Sequence, residues 1–124
     1  SDDLKVIITT PSLTKFKMEG AGMTTVKKIN GDRFDLNYEG VGMLVMTGKV
    51  TNFKVRAQGV GHVEAKDLIA ENVEANVEGI GSVNVYASEK LKANVQGIGS
   101  LNYYGHPKSI SKTVDGIGGV SAGK

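Results

Sequence analysis

Acid and amide side chains recur along this chain at a spacing that could assemble a cation site. One of them stands directly before each of six Gly-x-Gly motifs, and the set is Glu19, Glu39, Gln58, Glu78, Gln96 and Asp115. Stacked carboxylates could hold Ca²⁺, which binds about six to eight oxygen atoms. Glutamine interrupts the acids at two of the six positions, so we favour a structural row of hydrogen-bonding side chains over a metal site.

The pattern gives catalysis little support. The chain has no cysteine, which excludes a thiolate metal site and a cysteine nucleophile. His62 and His106 occupy different parts of the repeat and do not predict a shared metal. Surface carboxylates of any such repeat meet the separation of about 5–9.5 Å that glycosidases use, so the spacing identifies no enzyme. We predict no catalytic residues, no metal and no cofactor.

Six exposed side chains are the candidate contacts with a ligand or partner, namely Met23, Met43, His62, Tyr103, Tyr104 and His106. The two methionines and His62 share one position of the repeat, so we expect outward neighbours that form a contact patch. Crystal or dimer packing, or cover by a missing N-terminal segment, explains them equally well. The two tyrosines beside His106 predict an aromatic cluster that stacks on sugars, with capping of the fold as an equal alternative.

These side chains would be positioned by a repeat of about 19 residues. The motif offsets are 20, 19, 20, 18 and 19 residues, and apolar residues alternate with polar ones on both sides of each motif, as in a half-buried strand. A unit this short cannot bury a core alone, and stacking the units in parallel solves that problem. The glycines that mark the repeat are Gly20, Gly22, Gly40, Gly42, Gly59, Gly61, Gly79, Gly81, Gly97, Gly99, Gly116 and Gly118.

We therefore predict an all-β fold, a single right-handed parallel β-helix (β-solenoid) of about six coils of roughly 19 residues. An antiparallel sandwich would give no reason for identical motifs to align. Stacking also predicts that Lys15, Asp35, Lys54, Glu74 and Lys92 lie in file with alternating charge, and that Asn76, Asn94 and Thr113 end an amide ladder.

Two finer expectations follow from the same repeat. The middle residue of each Gly-x-Gly motif is predicted to point inward, because it is valine, isoleucine or alanine in all six copies. A short third strand is predicted around Ile29, Val50 and Leu68-Ile69.

Length and composition indicate one domain over residues 1–124. It divides into an N-terminal strand or cap at 1–13, the repeats at 14–118 and a C-terminal tail at 119–124. The formal charge of +2 argues against a nucleic-acid binder. The longest apolar stretch, Val41 to Met46, is far too short to span a bilayer, so no transmembrane segment is expected.

Three segments resemble the putative auto-transporter adhesin, head GIN domain family of bacteria. They are LKVIITTPSL at 4–13, VQGIGSLNYYGHP at 95–107 and KTVDGIG at 112–118. The resemblance implies an exported envelope protein with a β-helix fold and transfers no catalytic residue. Members usually carry more strand-rich sequence before the first segment, so we expect a processed or truncated form.

The predicted function is that of a bacterial cell-envelope adhesin-like head domain. It would bind a polysaccharide or a partner protein without catalysis, through rows of polar side chains on its outer face. The alternative is a structural or assembly module that forms homo-oligomers without a ligand. A polysaccharide-degrading enzyme is the least favoured interpretation.

Overall fold

A computed structural model describes residues 5–9, 15–18 and 21–123. Within them, nine strands form one sheet in which every pairing is parallel. The strands are β1 (Lys5–Thr9), β2 (Lys15–Met18), β3 (Ala21–Tyr38), β4 (Val41–Ala57), β5 (Val60–Val77), β6 (Ile80–Val95), β7 (Ile98–Tyr104), β8 (Ser109–Val114) and β9 (Gly119–Ala122).

The chain winds into a parallel β-solenoid of about five turns of about 19 residues, which confirms the predicted architecture. Strands β3 to β6 each run through most of one turn and pair with the equivalent strand of the next. Identical motif positions face each other, as when Gly42 pairs with Gly61 and Gly61 with Gly81. The antiparallel sandwich is therefore excluded.

The core is a set of inward rows that run along the solenoid. Phe34 and Phe53 are buried neighbours in one row, with ring centroids 6.1 Å apart. Ile29, Val50 and Leu68 are also buried, and they confirm a third extended segment in the turns of β3, β4 and β5. All three segments contribute apolar side chains to one interior. Since a single turn is too thin to enclose them, they are buried by the turns on either side.

The corner at each Gly-x-Gly motif requires glycine for two reasons. Gly61 has a φ of +142°, a left-handed conformation that L-residues with a side chain rarely adopt. A Cβ on it would lie 1.9 Å from the carbonyl oxygen of Gly42 in the previous turn. The backbones of successive turns therefore meet here with no room for a methyl group.

The middle residues of the motifs point outward, so the inward prediction was wrong. Alternation continues through the first glycine of each motif and places the following residue outside. It continues through the second glycine as well, so Tyr38 and Ala57 before two of the motifs and Leu44 and Val63 after them all face the core. The result is a row of aliphatic side chains, 47–75% exposed, made of Val41, Val60, Ile80, Ile98 and Ile117. We call it the aliphatic corner.

Candidate functional site

A groove of about 530 Å³ runs along the outside of the solenoid and crosses several turns. Two adjacent rows of outward side chains line it, and we call it the axial groove. The first row is Arg33, Asn52, Asn72, Lys90 and Ser109, and the second is Asp35, Lys54, Glu74, Lys92 and Ser111. Phe53, Val73 and Leu91 contribute apolar surface from beneath. The two rows give it hydrogen-bonding groups at the spacing of the turns, about 4.8 Å.

The first row carries a short amide ladder at the centre of the groove. Asn72 donates from Nδ2 to Oδ1 of Asn52 at 2.9 Å, and Asn52 donates to the carbonyl oxygen of Asp32 at 3.3 Å. These bonds fix the orientation of both amides. The amide donors and acceptors of Asn52 and Asn72 that are not used in these two bonds can bond to a ligand in the groove.

The second row has the alternating charges predicted from the sequence. Lys15, Asp35, Lys54, Glu74 and Lys92 lie in file on successive turns. Lys54 Nζ lies 3.5 Å from Glu74 Oε2, whereas Asp35 accepts bonds of 2.8 and 3.1 Å from Arg33 on its own strand. The predicted row of alternating charges is therefore confirmed, although the shorter ion pair is the one between Arg33 and Asp35 within a single turn.

The predicted amide ladder at the end of a neighbouring row is also present. Asn94 donates to Oδ1 of Asn76 at 2.9 Å, and Thr113 continues the row. This row lies outside the lining of the axial groove. It therefore offers a matched pair of asparagines with which to compare those inside the groove.

Met23, Met43 and His62 form the predicted row of neighbours on successive turns. His62 contacts the hydroxyl of Ser82 through Nδ1 and lies 3.0 Å from Oε2 of Glu64 through Nε2. Asn84 donates to the same carboxylate oxygen at 2.8 Å. Burial raises the pKa of Glu64, but the bonds from His62 and Asn84 outweigh it and leave that pKa below its ordinary value.

The Ser82–His62–Glu64 cluster has the residue types of a hydrolase triad, but its surroundings favour a structural role. All three side chains lie on β5 and β6, and each of these strands is paired on both sides. Their backbone N–H groups are occupied in the sheet and are not available as an oxyanion hole. The cluster therefore acts as a cross-link between turns.

The predicted tyrosine cluster is divided between two environments. Tyr103 lies in an inward row beside Val85 and packs against the core, so its placement on the exposed side was wrong. Tyr104 stands outside next to Tyr86, with Nζ of Lys66 5.5 Å from its ring centroid. His106 is exposed in the turn that follows β7.

Tyr86 and Tyr104 border a shallow cavity of about 300 Å³ with Lys66, Asp67 and Ile69. Tyr86 was not among the predicted contacts, although it precedes Tyr104 by one repeat and therefore shares its row. The register alone would have identified it. This cavity is a smaller second surface on which a sugar ring could stack.

The acid and amide side chains that precede the Gly-x-Gly motifs form an exposed row beside the aliphatic corner, made of Glu39, Gln58, Glu78, Gln96 and Asp115. The predicted first member, Glu19, and the adjoining Gly20 lie outside the described residues. Arg56 donates to Oε2 of Glu78 at 3.0 Å, so that carboxylate has a cationic partner. Among the described residues, no group of three or more potential metal ligands comes together. The acid and amide side chains therefore form a polar border along the aliphatic corner.

Comparison with known proteins finds a family and solved structures that this chain resembles. Residues 1–107 match the family described as "Putative auto-transporter adhesin, head GIN domain". The fold is similar to the crystal structure of a putative adhesin from Bacteroides fragilis, with a TM-score of 0.83 and 26% sequence identity over 98% of this chain. The match spans 54% of that longer protein. No curated protein matches the sequence. The described residues contain no helix long and apolar enough to cross a membrane.

Proposed function

The chain belongs to the putative auto-transporter adhesin, head GIN domain family, and we propose that this adhesin-like head domain holds a polysaccharide in its axial groove. The observation that carries the proposal is the groove itself, which is long, concave and lined by polar side chains on successive turns. The family supports a position at the bacterial envelope or surface. Export to that position is part of the proposal.

The chemistry of the groove suits a sugar polymer. Amide and hydroxyl groups bond to sugar hydroxyls, while the apolar surface beneath them accepts the C–H faces of sugar rings. Each turn adds a similar set of groups, so a polymer can make the same weak contact several times. Repeated contacts raise the overall affinity beyond that of any one of them.

Replacing Asn52 and Asn72 together by alanine should weaken polysaccharide binding about tenfold, because each amide contributes about 0.5–1.5 kcal/mol through its hydrogen bonds. A glycan array would identify the bound polymer, and isothermal titration would compare the variants. The matched control replaces Asn76 and Asn94, which form an equivalent pair outside the groove. Equal losses in both double variants, or no saturable binding by the natural sequence, would contradict the proposal.

The aliphatic corner favours a second candidate function, assembly with another copy of this chain. It exposes a continuous row of valine and isoleucine side chains, and such rows are rare on surfaces that have no partner. Met23 and Met43 extend the apolar surface on the adjoining outward row. Two copies could bury both rows against each other without any ligand.

Replacing Ile80 and Ile98 by lysine tests this assembly. We expect a concentration-dependent oligomer of the natural sequence to dissociate in light scattering, while stability changes by no more than about 0.5 kcal/mol because both side chains are exposed. Ile69→Lys is the control, since Ile69 is exposed on another part of the turn. An oligomer that survives the double substitution would exclude the aliphatic corner as its interface.

A further inference from the structure

We propose that the polysaccharide is acidic, and that one of its carboxylate, sulfate or phosphate groups binds at the end of the axial groove formed by β6 and β8. Lys90, Lys92, Ser109 and Ser111 would hold it. This inference rests on the proposed function, because it assigns a ligand class to the same groove.

The charge of the groove is uneven along its length. Four cationic side chains and two carboxylates line it, so the cations are in excess. Asp35 is held by Arg33, and Glu74 lies against Lys54. The excess is therefore concentrated at Lys90 and Lys92, near the last turn.

Neither of these lysines forms an ion pair among the described residues. Two carboxylates are their neighbours, and each is held by a different cation. Glu74 lies 3.5 Å from Lys54 Nζ, and Glu89 lies 3.3 Å from Lys108 Nζ. Two ammonium groups on one edge of a groove thus remain available to an external anion, which would reduce their mutual repulsion.

The four side chains have the spacing of a site for one anionic group. Lys90 and Lys92 are two residues apart on one strand, which places their stems about 7 Å apart on the same face. Ser109 and Ser111 pair with them on the next turn, about 4.8 Å away. The long lysine side chains can converge on a group between them, and the serine hydroxyls can donate to its other oxygens.

The rest of the groove favours a sugar polymer over a nucleic acid, which also carries regular negative charge. Single-stranded nucleic acids bind to grooves whose exposed aromatic rings stack on the bases. The aromatic residue in this groove is Phe53, which is buried beneath it. The central positions are instead amides, which bond to sugar hydroxyls.

The test measures binding of polygalacturonate, dextran sulfate and neutral dextran by isothermal titration to the natural sequence and to the double variant Lys90→Gln/Lys92→Gln. We expect the natural sequence to bind an acidic polymer at least about tenfold more tightly than dextran, with affinity that falls as salt is added. The double variant should lose that preference. Comparing the carboxylated with the sulfated polymer shows which anionic group the site takes.

A matched control removes the same charge elsewhere. Lys27→Gln/Lys49→Gln replaces two exposed lysines outside the groove and should bind as the natural sequence does. Equal losses in both double variants would show attraction by net charge alone and overturn the anion site. Equal binding of acidic and neutral polymers would also overturn it, while leaving the polysaccharide function intact. Binding to single-stranded DNA but to no polysaccharide, or to no polymer at all, would overturn both.

Discussion

Gly81→Ala should lower the free energy of unfolding by about 3 kcal/mol, enough to reduce the melting temperature by roughly 10 °C. The new methyl group would stand 1.8 Å from the carbonyl oxygen of Gly61, and that oxygen belongs to backbone that cannot rotate away. The φ of +145° adds a conformational cost for any residue with a Cβ. Thermal melting followed by circular dichroism, with chemical unfolding alongside, measures the loss.

Two other glycines separate the contributions to this loss. Gly31 has a φ of +147°, but no atom lies within 4 Å of the position that a Cβ would take, so Gly31→Ala should show the conformational cost alone, about 1 kcal/mol. Gly119 has open space and no positive φ, and Gly119→Ala should be nearly neutral. If Gly81→Ala costs no more than Gly31→Ala, the close contact between turns does not constrain the corner.

The alternation through the corner also determines what the surface presents. Because it continues unbroken through each motif, the aliphatic residue between the two glycines lies outside with the acid or amide residue two positions earlier. Successive turns then repeat both side chains in two parallel rows. The pleat of the strands thus creates the row that we propose as an assembly surface.

The register of this fold could be predicted from the sequence because one repeat length sets every pairing. Lys54 and Glu74 differ by one repeat, as do Asn76 and Asn94, so stacking alone brings each pair together. Period-two alternation likewise identified the buried residues of β3 to β6, although the equivalent residues of β8 are exposed. These predictions need only the length of the repeat and the alternation of side chains along a strand, and the structure confirms them.

The shapes of the candidate surfaces could not be predicted in the same way. Register shifts between turns, as between Ala65 and Ile69, have no fixed sequence signature. Tyr103 and Tyr104 are an exception, because the repeat pairs them with Val85 and Tyr86 and so assigns Tyr103 to the inward row. Local composition carries no such information.

Phe53→Ala should cost about 3–5 kcal/mol, which corresponds to a melting temperature lower by roughly 10–20 °C. Phe53 is 2% exposed and lies in a row between Phe34 and Val73, so its removal leaves a cavity that faces two neighbouring turns. In a solenoid each turn is stabilised by its neighbours, and a defect in a central turn weakens the contacts on both sides. Guanidinium unfolding of the purified variant gives the loss directly.

The same row provides a control at its end. Ile110 occupies the equivalent position on β8 but is 42% exposed, so Ile110→Ala should cost less than about 1 kcal/mol. Phe53→Leu keeps most of the buried volume and should fall between the two. This order follows from the number of turns that cover each side chain. Equal losses for Phe53→Ala and Ile110→Ala would mean that stability does not depend on stacking between turns, and the rows that line the axial groove would lose their physical basis.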